Sequence, residues 1–366
     1  MQNSKANRNS SFELLKIIAM FLICISHTYN ASGFSNVLST NVGDVFTVMI
    51  KNSGWLGDII FICCSVFFLY DKEKTLNFRK VFVYYVSSAL IFFTFLGIFL
   101  LAKIPVPHNI LIDTLDTYIV HHYWFVVNYI IYMLLFPLLA FIIDKCNKKV
   151  HLGLVIVAML FALANLITRQ LDYFECGLLI TFYTMFVIIT FGKKYGYYLF
   201  IKDGKENRTT HIIILVVCLL LWFGSTLVCS AVYPKIGLAD VEMTNINYIH
   251  SPIIYVLGID LFLLFKNLEI KTSKVINYVS SLSLTFYLMH HNKYTELIID
   301  PYINSFVLNG HEAFRPLLIL GFGSLIFVGG VVASIIYNES IGRLVKLIGK
   351  YIPNIKLEKK IVEENS

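Results

Sequence analysis

Three residues stand out against an apolar background: Glu13, Lys16 and His27, in the run Arg8-Asn-Ser-Ser-Phe-Glu13-Leu-Leu-Lys16-Ile-Ile-Ala-Met-Phe-Leu-Ile-Cys24-Ile-Ser-His27. A neutral imidazole costs less to bury than a charge and titrates near physiological pH, so His27 suits proton transfer, taking a proton from a hydroxyl and returning it. At ~100° per residue, Lys16 and His27 lie within ~20° of one another on a helix, with Glu13 ~40° away on the other side of that line. The rise from Glu13 to His27 is ~21 Å, most of a hydrocarbon core of ~30 Å. One polar stripe thus links the start of a helix to a site near its far end. Ser10 and Ser11 are expected to cap that start, with Glu13 at its positive end. A plainer reading also fits: Glu13 and Lys16 form an i,i+3 pair that reaches the headgroups, and His27 makes one hydrogen bond in a helix interface. Cys24, one turn below His27, reads as packing, because nothing cationic lies near it to activate the thiol.

The elements that must position this stripe are membrane helices. The chain has 366 residues, 57% hydrophobic and 14% charged, with a mean hydropathy of +0.71, whereas soluble domains are about 25% charged. The apolar runs are continuous, which excludes a transmembrane barrel of short alternating segments. The expected fold is all-α: a polytopic integral membrane protein of about ten transmembrane helices. Spans are expected near 13–31, 55–70, 81–102, 122–143, 151–168, 177–192, 211–233, 250–266, 275–291 and 314–337, the second and ninth being short. Residues 1–344 form one transmembrane domain and 345–366 a cytoplasmic tail. The first run follows Lys5 and Arg8, but no small-x-small cleavage site follows, so it reads as a retained helix.

Charge sets the topology. On this layout 24 of the 30 lysines and arginines fall in alternate segments, so the positive-inside rule puts both termini in the cytoplasm. The net charge of +7 is spread over six such segments, which argues against a nucleic-acid partner. The seven cysteines show no CxxC or Cys/His spacing, so neither a disulfide framework nor a metal site is expected. Histidines gather on the other side: His108, His121, His122, His250, His291 and His311 at or beyond the outer boundary, His27 and His290 in the outer ends of their spans. An ionisable group inside a span is by default a functional-site hypothesis.

The order of motifs resembles that of a known family. Arg8, Glu13-Leu-Leu-Lys16 and His27 resemble the N-terminal signature of the acyltransferase type 3 family of bacterial membrane proteins. Gly54-Trp-Leu-Gly-Asp58 leading to Phe61-Ile-Cys-Cys-Ser-Val-Phe-Phe-Leu69 is similar to its second helix, although Cys64, Ser65 and Val66 replace the usual small-polar and glycine positions. His122-Tyr-Trp124-Phe-Val-Val-Asn128-Tyr129 with Pro137 resembles its Trp-Phe helix, and Phe286-Tyr287-Leu-Met-His290-His291-Asn292 its late histidine element. Many members carry Arg-x-x-Arg at the start of the third helix; here Arg79-Lys80-Val-Phe82 lacks the second arginine.

The resemblance implies a membrane acyltransferase that moves an acyl group, commonly acetyl from acetyl-coenzyme A, onto a hydroxyl of a cell-envelope polysaccharide or glycolipid. Acyl-coenzyme A is then a co-substrate, and no tightly bound cofactor is expected. On that reading His27 is the base, with Glu13 and Lys16 supporting it, while Arg8, Arg79 and Lys80 meet the donor phosphates. His122, Trp124, Asn128, Tyr129, His290 and Asn292 are the acceptor candidates at the outer mouth. The positive-inside rule alone would also place the basic residues, and an interfacial aromatic belt would place Trp124 and Tyr129. Membrane lipid is the remaining expected partner, and the sequence sets no oligomeric state. The competing reading is a transporter or flippase for a lipid-linked glycan, or another component of polysaccharide assembly, which would use the same stripe as a proton relay.

Overall fold

A computed structural model describes residues 9–33, 40–70, 75–108, 111, 123–168, 177–204, 208–232, 235 and 249–356. Arg8, His121 and His122 lie outside the described residues, as does the side chain of Trp124. Thirteen α-helices occur among the described residues, with two-residue strands and one short 3-10 helix, Glu312–Phe314, besides. The chain is an all-α polytopic membrane protein. Eight helices are long and apolar enough to cross a bilayer. They are α1 (Ser10–Ala31), α2 (Val42–Tyr70), α3 (Phe78–Leu101), α4 (Trp124–Lys145), α5 (Lys148–Thr168), α6 (Gly177–Tyr195), α7 (Arg208–Val232) and α12 (Arg315–Glu339).

The other two expected spans are shorter. Helix α8 (Pro252–Lys266) has 15 residues, and it packs against α2 and α7 with its central residues from Ile254 to Leu263 largely buried. Encased in protein, it need not match the bilayer thickness. The ninth is two short helices, α9 (Lys274–Ser281) and α10 (Ser283–His290), divided at Leu282. Irregular backbone is tolerated at membrane depth where it lines a cavity, and Ser280, Ser281 and Ser283 at this break do so.

Three elements depart from the sequence expectation. Helix α2 begins at Val42, well before 55, because Asp44, Thr47 and Asn52 are buried against protein and need not face lipid. The outer segment after His291 forms α11 (Lys293–Asn309), whose Ile303 and Val307 pack under the outer ends of α1 and α12. The segment beyond α12 forms α13 (Ile341–Gly349), so the expected division at 344 falls inside a helix. The cap of α1 also differs: Asn9 accepts from the Ser11 amide at 2.9 Å. Ser10 and Ser11 instead serve tertiary contacts on the basic side, Ser11 Oγ donating to the Leu268 carbonyl at 2.7 Å and Ser10 Oγ to Asn277 Oδ1 at 3.0 Å.

Helix α1 is central, packed by α2, α12 and the α9–α10 pair. The approach of α2 depends on small residues: a Cβ at Gly57 would sit 2.7 Å from the Ala19 carbonyl oxygen. Close backbone contact of this kind is how membrane helices associate when lipid supplies no hydrophobic drive. It fixes the rotation of α1 and hence the direction of the polar stripe.

Candidate active site

Two hollows open from opposite ends of α1. The inner cavity, about 600 Å³, reaches from Asn9, Glu13 and Lys16 on the basic side up to His290. Its floor is polar and its walls are aromatic, with Phe61, Phe125 and Tyr287 among them. Lys16 Nζ lies 2.7 Å from Glu13 Oε2, an i,i+3 pair whose side chains are 21% and 8% exposed. Lys80, also on the cavity wall, sits 5.6 Å from the centre of the Tyr84 ring. The smaller outer pocket, about 150 Å³, is lined by His27, His290, His291, Glu296 and Asp300.

His290 belongs to both hollows, and its hydrogen bonds assign the protons. His290 Nδ1 is 2.9 Å from the Phe286 carbonyl oxygen. A carbonyl only accepts, so Nδ1 carries the proton and Nε2 of the neutral ring is an acceptor. His27 Nδ1, 2.9 Å from that Nε2, must then donate, which leaves the basic lone pair of His27 on Nε2. An imidazole oriented at one nitrogen by a fixed acceptor, with its other nitrogen basic, is the arrangement of a general base. The His291 ring lies tilted beside that of His27 at 4.2 Å between centroids, and its Nδ1 lies 2.8 Å from Glu296 Oε1.

The other predicted residues separate by role. Tyr129 faces the inner cavity, where its hydroxyl donates to Ser65 Oγ at 3.3 Å, and not the outer pocket. Asn292 is fully buried and caps α11, accepting from the Tyr294 amide at 3.1 Å and donating to the Tyr123 hydroxyl at 2.9 Å. Tyr123 in turn donates to the Leu288 carbonyl at 3.1 Å, so Asn292 holds the turn that carries His290. Asn128 is buried in α4 and lines neither hollow. Arg79 packs beside Gly349 of α13, outside the cavity lining. Cys24 is buried at the outer pocket, its Sγ 3.6 Å from the Gly323 carbonyl oxygen.

The model of a family described as an acyltransferase domain matches residues 9–338, which takes in α1 through all but the last residue of α12, the outer pocket and most of the inner cavity's lining. The chain belongs to the acyltransferase type 3 family. Nothing among the curated proteins matches it, and no solved structure does.

Several residues of this acyltransferase lie at the site without having stood out in the sequence. Asp58 is 6% exposed on the wall of the inner cavity, and an acid inside a span was a sufficient signal for it. Glu296 and Asp300, one helical turn apart on α11, both line the outer pocket; in an apparently solvated loop they carried no signal. Burial, with the Glu296 charge beside it, raises the Asp300 carboxyl to about 6. By contrast, Lys193 and Lys194 in the last turn of α6 donate to the carbonyls of Phe67 and Ile143 at 2.8 and 2.9 Å. These cations cap helix ends and do not line the inner cavity.

Proposed function

We propose that the acyltransferase moves an acyl group, acetyl in the simplest case, from cytoplasmic acyl-coenzyme A to a hydroxyl of a cell-envelope or secreted polysaccharide or glycolipid. It would act in the bacterial plasma membrane, with His27 as general base. The observation that carries this reading is the His27–His290 contact, 2.9 Å long, where the inner cavity and outer pocket meet. Coenzyme A is a polyanion that does not cross hydrocarbon, and the basic inner side suits it. A surface glycan approaches from the other side.

In this mechanism the donor's pantetheine arm enters the inner cavity and brings the thioester to the histidine pair. The acceptor hydroxyl lies in the outer pocket against His27 Nε2. As the hydroxyl oxygen attacks the thioester carbon, its proton passes to Nε2; the new C–O bond forms, the C–S bond breaks, and His27 returns the proton to the departing sulfur. During the step the imidazolium shares its charge through Nδ1–H with His290 Nε2, which is itself fixed by the Phe286 carbonyl. Glu13 positions Lys16, and Lys16 and Lys80 supply positive charge at the donor entrance.

The test is mass spectrometry of surface and secreted polysaccharide from cells with the gene intact, deleted or carrying His27→Ala. The expected result is loss of an acyl mass in both altered strains with the amount of polymer unchanged. Loss of the polymer itself, with acylation of the remainder intact, would replace this reading with the transporter.

A further inference from the structure

The family match ends at residue 338, yet the inner cavity does not: Gly342 and Lys346 of α13 line it beside Tyr337 and Asn338. Helix α13 has two distinct faces. Leu344, Leu347, Ile348 and Tyr351, spaced as one helical stripe, are all exposed, which suits a helix lying on the inner leaflet. Gly342, Val345 and Gly349, on the opposite stripe, are buried. Three further contacts press this face onto the body. A Cβ at Gly349 would lie 2.8 Å from Val83 of α3. The strand Ile355–Lys356 pairs antiparallel with Thr75–Leu76 at the start of α3. The Arg79 amide donates to Asn354 Oδ1 at 3.2 Å.

Lys346 is therefore held at the cavity mouth by a docked helix and is not part of a loose tail. Its ammonium donates to the neutral Asn338 side-chain oxygen. The nearest carboxylate, Glu339, is engaged elsewhere: it accepts from the Tyr278 hydroxyl at 2.7 Å, from the Asn338 amide at 3.2 Å, and pairs with Arg343. Asn338 thus links the two groups, and the Glu339 charge favours the ammonium form of Lys346. Partial burial lowers the Lys346 pKa, so a bound anion would restore what the position costs the cation.

We propose that Lys346, carried by α13, is a phosphate-binding residue of the donor site. With Lys80 and Lys16 it would complete a ring of three lysines around the inner mouth, contributed by α13, α3 and α1. The ligand is the phosphorylated end of the acyl donor, a nucleotide of the coenzyme A type, and the inference rests on the donor assigned above. An anionic lipid headgroup offers the same chemistry to a lysine at the inner leaflet, and the test separates the two.

The full-length protein in neutral detergent is titrated with coenzyme A and with pantetheine, which has the same thiol arm and no phosphate. Lys346→Ala is expected to weaken coenzyme A about tenfold, the worth of one charge-assisted hydrogen bond, leave pantetheine unchanged, and be rescued by Lys346→Arg. Unchanged pantetheine binding also shows that the variant is folded. Equal coenzyme A affinity in parent and variant overturns the proposal. So does a difference that emerges only after phosphatidylglycerol is added, which would give Lys346 to lipid. A parent that binds pantetheine but gains nothing from the phosphates overturns Lys346 alone. A parent that binds neither overturns the donor reading beneath it.

Discussion

Two of the histidine couples among the described residues join one helix to another. His27 Nδ1 and His290 Nε2 are 2.9 Å apart, joining α1 to α10; His211 Nδ1 and Asp260 Oδ1 are 2.7 Å apart, joining α7 to α8. By contact geometry they are equals, and the second is the better sealed, with side chains 1% and 0% exposed. They differ in what lies beside them. His27 and His290 are bordered by two hollows that open to opposite sides, whereas His211 and Asp260 line neither. An ionisable pair within a membrane protein marks a reaction site only where substrates can reach it; sealed in, the same chemistry is a clamp.

Exchange experiments should split the couples cleanly. His27→Ala is expected to lower turnover by roughly 10²–10⁴-fold, the contribution of a positioned general base, with little change in thermal stability. His211→Ala is expected to do the opposite. Removing one partner leaves the Asp260 carboxyl buried and alone, which costs about 3–5 kcal/mol of folding stability, while each molecule that remains folded keeps the parent turnover. The two variants are compared by detergent thermal unfolding and by turnover normalised to folded protein. A His211→Ala protein of full stability and no activity would reverse the roles assigned to the couples.

Within the open couple, the role proposed for His290 is to position His27. His290→Gln is expected to lower turnover about a hundredfold, because misplacing a reacting group by ~1 Å costs that much, while the Michaelis constant for the donor holds. A larger rise in that constant than fall in turnover would make His290 part of the donor's binding surface.

The stripe of α1 was readable in the sequence because it depends only on helical periodicity. Glu13 and Lys16 do line the inner cavity, whereas His27 lines the outer pocket and meets the inner one through His290. What faces His27 was not readable to the same degree. His290 stood out as a histidine inside a span, but its partner depends on the break at Leu282, which turns α10 independently of α9. Helices α11 and α13 escaped notice for a different reason. Helix α11 mixes charged and apolar residues and α13 has only nine residues, so a search for long apolar runs passes over both. Asn292 looked like a site residue by its place after two histidines, yet both ends of its amide are occupied by structure. Sequence position does not distinguish a polar group that holds a turn from one that meets a ligand.

The ion pair at the stripe's base should have a moderate effect. Glu13→Gln frees Lys16 from its partner, and Lys16→Ala removes the cation from the cavity floor. A partly exposed pair is worth up to ~1 kcal/mol, so each change is expected to raise the donor Michaelis constant about three- to fivefold and leave the acceptor's alone. Equal effects on both substrates would place the stripe's lower half outside the donor path.

The smallest effect is expected at Asp300, and it probes the same contrast of open and sealed groups. Asp300 on α11 borders the outer pocket, and its carboxyl sits at about 6 because of burial and the neighbouring Glu296 charge, with Lys293 and His291 acting in the opposite direction. The ordinary value is 3.8, so between these two pH values the folded protein holds a proton that the unfolded chain has released. Stability must then fall as pH rises across that window and level off above about 6. Water reaches the group, which limits the effect to ~1 kcal/mol or less, a shift of a few degrees in Tm at most. Asp300→Asn is expected to flatten this part of the Tm–pH curve and raise its neutral end slightly. A parent curve already flat from pH 4 to 6 would mean that the carboxyl is solvated like any surface acid, and that the outer pocket carries its negative charge at every pH the acceptor meets.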